Sequence, residues 1–218
     1  MNSIVRSTIV AQIGATIAIA ASSVDVAPAH ALAINGASSG ISNPAQTIDF
    51  NDLTVANGTA ITNQYSSSGV TFSNLFAFGG GFPNISGRSL ANFSSGSPLN
   101  PFSIRFSTPQ TGASFAMVTN SGTSTITALL NGQLVETFTA NTNTTSSNNF
   151  YGFTASGFDE IQIVASNVNG AAAIDNLQFD IATPVPFGFT PLPGLAVSAL
   201  LCGVNRLRKR FAKEQIEG

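Results

Sequence analysis

The sequence predicts an all-β fold, a two-sheet β-sandwich set between two apolar terminal segments. Three observations carry this. Between residues 47 and 181, short runs of β-branched and aromatic residues are separated by Gly, Asn, Ser and Pro, and no long stretch keeps a helical period. Asn131-Gly132 supplies the two positive φ angles that a two-residue type I′ hairpin turn requires. Only 8% of the 218 residues are charged while 17 are Phe, so apolar fillers are interleaved with hydroxyl and amide side chains. A chain of this kind buries enough apolar surface to offset the entropy of ordering it.

In chain order, strands are expected at 47–50, 70–76, 102–107, 112–118, 123–130, 133–140, 150–154, 161–166 and 172–181. At 102–107, Phe102, Ile104 and Phe106 alternate with Ser103, Arg105 and Ser107, so one face enters a core and Arg105 lies on the other. Ile161, Ile163 and Ala165 repeat the pattern against Gln162 and Ser166. The segments 123–130 and 133–140 form the hairpin around Asn131-Gly132. Gly79-Gly80-Gly81 lacks a following Lys-Ser/Thr, which excludes a phosphate loop and leaves a flexible loop tip. About nine short strands at these spacings fit a jelly-roll-like sandwich, with an open barrel as the alternative.

The ends read differently. Residues 1–31 open with Arg6, continue through an apolar run from Ile9 to Ala21 and reach Ala27-Pro28-Ala29-His30-Ala31-Leu32-Ala33. Charge, short apolar run and A-x-A site in that order are the pattern of a secretory signal peptide, with cleavage expected after Ala31 and, second, after Ala33. A linker is expected over 32–46 and the β domain over 47–181. At the other end a proline-rich linker, 182–189, leads into a helix expected over 190–213, capped by Thr190 and tolerant of Pro191 and Pro193 in its first turn. Its apolar stretch from Leu192 to Val204 is about 20 Å long, against about 30 Å of bilayer hydrocarbon. Arg206, Arg208, Lys209 and Arg210 follow, and the positive-inside rule puts that end in the cytoplasm and the β domain outside.

A short proline motif, a brief membrane-crossing helix and a basic end after an exported β domain resemble the PEP-CTERM sorting signal, in its cyanobacterial variant reading Val-Pro-Phe-Glu-Phe. The matching residues are Val185, Pro186, Phe187 and Phe189, and Gly188 stands where the variant has glutamate. The resemblance covers about 25 tail residues and implies export machinery and an exosortase-type protease as partners, with the chain held at the membrane by its tail before processing. A plain C-terminal membrane anchor is the other reading. The segments Ile48-Asp49-Phe50-Asn51-Asp52-Leu53, Gly69-Val70-Thr71-Phe72-Ser73 and Ile174-Asp175-Asn176-Leu177-Gln178-Phe179 look like strands of the β domains that commonly precede this signal. Those domains are similar to carbohydrate-binding jelly rolls, a likeness of fold alone.

The composition removes most catalytic chemistry. His30 and Cys202 are the single histidine and cysteine, and both fall in the terminal segments, so the β domain has no Ser-His-Asp triad, thiol nucleophile or His/Cys metal site. Lys is absent from it, and seven carboxylates stand against Arg88 and Arg105, which leaves no basic face for nucleic acid. Asp159 and Glu160 are neighbours pointing to opposite strand faces and belong to a solvated strand edge, not a glycosidase pair. Asp175 shares parity with Leu177, Phe179 and Ile181, while Asp52 shares parity with Ile48 and Phe50. If the first and last strands pair, these carboxylates meet at one edge of the sandwich. A structural Ca²⁺ there would draw on Asp49, Asp52, Asp175, Asn51 and Asn176, and the alternative is that each Asp caps amides of its own turn. For a glycan, the best-placed aromatic is Tyr151, beside the polar stretch 141–149.

These residues lead to an exported, non-enzymatic protein of the cell envelope or extracellular matrix, without cofactor apart from a structural calcium, and in contact with extracellular polysaccharide. The alternative is a lectin-like glycan-binding sandwich anchored by its C-terminal helix.

Overall fold

In the computed structural model of the chain, residues 31–167 and 170–181 are described. The signal segment before Ala31 and the tail residues Val185, Pro186, Phe187, Phe189, Arg206, Arg208, Lys209 and Arg210 lie outside them. The described residues are all-β. Their strands are β1 (Leu32–Ala37), β2 (Gln46–Ile48), β3 (Ala60–Ile61), β4 (Val70–Ser73), β5 (Leu75–Gly79), β6 (Arg88–Ala91), β7 (Phe102–Thr119), β8 (Gly122–Leu130), β9 (Gln133–Thr142), β10 (Phe150–Asn167) and β11 (Ala172–Ile181). All pairings are antiparallel, in one sheet of order β3-β5-β6-β11-β7-β10-β8-β9, with β1 on β10, β2 on β11 and β4 on β7.

β7 and β10, 18 residues each, join the two halves of this sheet. The first half of β7 pairs with β4 and its second half with β11. The first half of β10 pairs with β1 and its second half with β8. Between them the register slips twice, around Thr154/Phe158 and Phe158/Glu160. Pro109, which has no amide to give a ladder, falls inside the slip on β7. The strands bend there and the sheet folds over itself. Phe138 of β9 pairs through Ile126 with Ile163 of β10, ten positions beyond Phe153. On a straight strand that separation is about 33 Å. The Phe138 and Phe153 rings nonetheless meet, their centroids 5.3 Å apart. The enclosed core takes Phe102, Ile104, Phe115, Phe153, Phe158, Ile161 and Leu177, all fully buried.

A second, smaller apolar cluster lies on the other face of the first half of the sheet: Ile85, Ala91, Ala116, Val118, Phe150 and Ala173, with Phe78, Phe82 and Phe93 packed against it. The loop between β5 and β6 covers this face. Phe82 and Ile85 exchange backbone hydrogen bonds of 2.9 and 3.0 Å around Pro83 and Asn84, the latter at φ 55°. Proline second and a left-handed Asn third make this a type II turn.

The hairpin at Asn131-Gly132 forms as expected, with φ of 51° and 76°. Other boundaries differ. The segment 32–46, expected as linker, contributes β1 and the start of β2, and Ala31 is already in the core. The strand expected over 70–76 is two strands, broken at Asn74, whose φ is 58°. Gly79-Gly80-Gly81 is not a free tip. Gly79 pairs with Arg88, and a Cβ on Gly80 would lie 2.8 Å from Phe78 Cε1 and 3.1 Å from Phe82 Cε2, so glycine there lets two rings close in.

Candidate functional site

The first and last strands of the expected domain do pair, Ile48 opposite Leu177. The carboxylates near that edge are each engaged. An Asp49 oxygen accepts the Asn51 amide at 3.1 Å. Asp52 accepts the Tyr65 hydroxyl. Asp175, 1% exposed, accepts the Ser86 amide at 3.0 Å on one oxygen and the Asn176 amide at 2.6 Å on the other. These are the amide-capping roles, with a tyrosine added, and among the described residues no three His, Cys, Asp or Glu side chains are grouped to hold a metal ion.

The parity argument for Asp175 fails at a bulge. The register of β11 slips between Asp175 and Gln178, with Asn176 at φ 49°, so Ile174 and Leu177, three apart, both enter the main core. Asp175 instead pairs with Ala116 and takes the second face, under the turn that carries Ser86. Burial there pushes its carboxyl up to about 6; the two amides oppose the shift and Asp49 adds to it. Native protein therefore holds this proton more tightly than the unfolded chain. The resulting stability is fully present below the unfolded value of 3.8 and is lost as pH rises through about 6. The stability difference between wild type and Asp175→Asn should thus fall by roughly 2 kcal/mol between pH 4 and pH 7. Urea unfolding at the two pH values measures it, and a difference independent of pH would contradict it.

Tyr151, the aromatic expected to meet a glycan, is 2% exposed and belongs to the core cluster, so it offers no face for stacking. Asp159 and Glu160 are not at a sheet edge, because β10 is flanked by β7 and β8. Asp159 accepts the Asn131 amide on both oxygens, at 3.1 and 3.0 Å, and so braces the hairpin turn. Glu160 is buried opposite its register partner Arg105, with 3.1 Å between Arg105 Nη2 and Glu160 Oε2. The two carboxylates have separate structural partners.

The feature that residue-by-residue reading missed is a trough on the second face. Its most apolar part is a cleft of about 160 Å³ between the partly exposed rings of Phe78, Phe82 and Phe93, floored by Val118 and Ala173. Phe78 and Phe93 meet edge to face, centroids 5.4 Å apart. Asn120 and Thr144 stand at one side of the cleft. Two further hollows adjoin it through Phe93, one reaching Ser97 and Pro98, the other Asn57, Ser94 and Ser95. Among the described residues, no charged one lines any of the three. Arg88 lies behind this lining, donating to Asn57 Oδ1 and to the Leu53 and Val55 carbonyls.

The walls are rigidly held. Asn84 donates to the Ser147 carbonyl and to Asn149 Oδ1, Asn149 donates back to the Pro83 carbonyl at 2.7 Å, and Asn176 donates to the Asn84 carbonyl at 2.8 Å. These bonds fix the turn beside Phe82. On the other wall the buried Asn92 donates to the Leu99 and Gly170 carbonyls and accepts the Ala172 amide at 2.8 Å, closing the loop that presents Phe93. The Phe78/Phe82 pair, Phe93, Asn120 and Thr144 come from separate parts of the chain. The one local signal was three glycines between two phenylalanines.

Comparison with protein-family models, with curated proteins and with solved structures returned no match.

Proposed function

We propose that the chain is an exported, non-enzymatic protein of the cell envelope or extracellular matrix, its β domain carried outside and its tail processed through a PEP-CTERM-like signal. The observation that carries this reading is the order of segments. A charge, apolar run and A-x-A site precede the sheet, and the motif at Val185, Pro186, Phe187 and Phe189, an apolar stretch and the Arg206 to Arg210 cluster follow it. Among the described residues the strands run from Leu32, just after the first expected cleavage site, to Ile181, before the proline motif. Cleavage after Ala31 leaves all of β1 in the mature chain, whereas cleavage after Ala33 removes the residues that pair with Thr154 and Phe153. A β domain without His, Cys or Lys, in which Asp49, Asp52, Asp159, Glu160 and Asp175 are bound to amides, a tyrosine or an arginine, is consistent with a non-enzymatic role.

The finer fold belongs to the same reading. The folded sheet with shared long strands is a jelly-roll-like sandwich, an architecture suited to presenting a surface outside the cell. The mass of the chain isolated from its own cell envelope tests the proposal, because both terminal segments are expected to be gone.

A further inference from the structure

We infer that the trough of Phe78, Phe82 and Phe93 is a binding site for a neutral polysaccharide. Partly exposed aromatic rings in a cleft attract the C–H groups of sugar rings, and phenylalanine, lacking a polar tip, leaves hydroxyl recognition to its neighbours. Those neighbours are present. Asn57, Ser94, Ser97, Asn120 and Thr144 line the cleft and its two extensions and carry amide and hydroxyl groups able both to donate and to accept. The cleft and its two extensions meet at Phe93 and together offer more surface than a single sugar unit fills.

Charge decides the class of polysaccharide. Among the described residues the lining has no arginine, lysine or histidine to pair with uronate or sulfate groups, and the domain around it has seven carboxylates against two arginines. An acidic polysaccharide would be repelled, while an uncharged one meets no unpaired charge. Rigidity favours binding as well, because the hydrogen bonds of Asn84, Asn149 and Asn92 hold both walls before any ligand arrives.

The inference rests on the surface reading only for where polysaccharide is met. Binding in vitro does not depend on export, so each can fail without the other. The test is native electrophoresis of the full chain through gels containing soluble β-glucan, galactomannan or xylan, with alginate as the acidic comparison. Retardation is expected in at least one neutral gel and not in alginate. Phe93→Ala and Gly80→Ala should each weaken it about tenfold, the first by removing a ring and the second by forcing Phe78 and Phe82 apart. Thermal melts of both variants keep loss of binding distinct from loss of fold, and Asn120→Ala, at an exposed position, provides a third probe. Failure of all neutral gels to retard the chain overturns the inference, as does retardation unchanged in the folded variants. Sedimentation showing that Phe93→Ala abolishes a dimer, with no effect on retardation, would assign the trough to a second copy of the chain and equally overturn it.

Discussion

Replacing Gly152 by alanine is expected to unfold the protein. Gly152 lies in β10 between two neighbours, paired with Ser114 of β7 on one side and Ile34 of β1 on the other. A Cβ there would sit 2.0 Å from the Ala113 carbonyl oxygen and 2.7 Å from the Ser114 Cα. Both atoms are backbone, so no side chain can rotate out of the way. Relief requires β7 and β10 to separate where the sheet folds over, and these are the strands that join its two halves. A loss of more than about 4 kcal/mol is expected, comparable with much of the stability of an ordinary domain. Urea unfolding followed by circular dichroism should show no cooperative transition for Gly152→Ala. Gly81→Ala is the control, since a Cβ there meets nothing within 4 Å, and it should melt within about 0.5 kcal/mol of wild type.

The second large effect is at Asn92. Its side chain is fully buried and ties three backbone groups, the Leu99 and Gly170 carbonyls and the Ala172 amide. Leucine has nearly the same volume but cannot donate or accept. Asn92→Leu would leave those groups buried without partners, at about 1 kcal/mol or more for each, so a loss of about 3 kcal/mol is expected. Because Asn92 closes the loop that carries Phe93, the loss should be accompanied by faster proteolysis between residues 93 and 99. Unchanged stability with unchanged proteolysis would show that the loop is held by something other than Asn92.

Features written in local chemistry were legible in the sequence. Asn131-Gly132 predicts its own turn because two adjacent residues with access to positive φ suffice. The alternation Phe102, Ile104, Phe106 survives because nothing interrupts that part of β7, and all three side chains are buried. Parity failed where the ladder is irregular. The bulge at Asn176 moves Asp175 to the second face, and an asparagine inside an alternating run gives no warning of it. The strands expected at 102–107 and 112–118 are one, because β7 passes through Pro109 at the register slip. Glu160 looked solvated because charge usually is; its position opposite Arg105 depends on which strand lies beside β10, a matter of topology.

The candidate site was the least legible. Tyr151 has the chemistry and a polar neighbourhood in the chain, but its strand is central and its ring is in the core. The trough draws Phe78, Phe93, Asn120 and Thr144 from separate loops and strands, and none of them differs in sequence context from the phenylalanines and polar residues that do nothing but pack or solvate. Gly80 held the only hint. Its value as a hint depends on knowing that rings flank it on both sides.

The intact mass of the mature protein from its own cell tests the central claim most directly. The account predicts a chain beginning at Leu32 and ending near Phe187, recovered from the envelope or the medium. A chain that still carries Met1 at one end and Arg210 at the other, recovered from the cytoplasm, would contradict it.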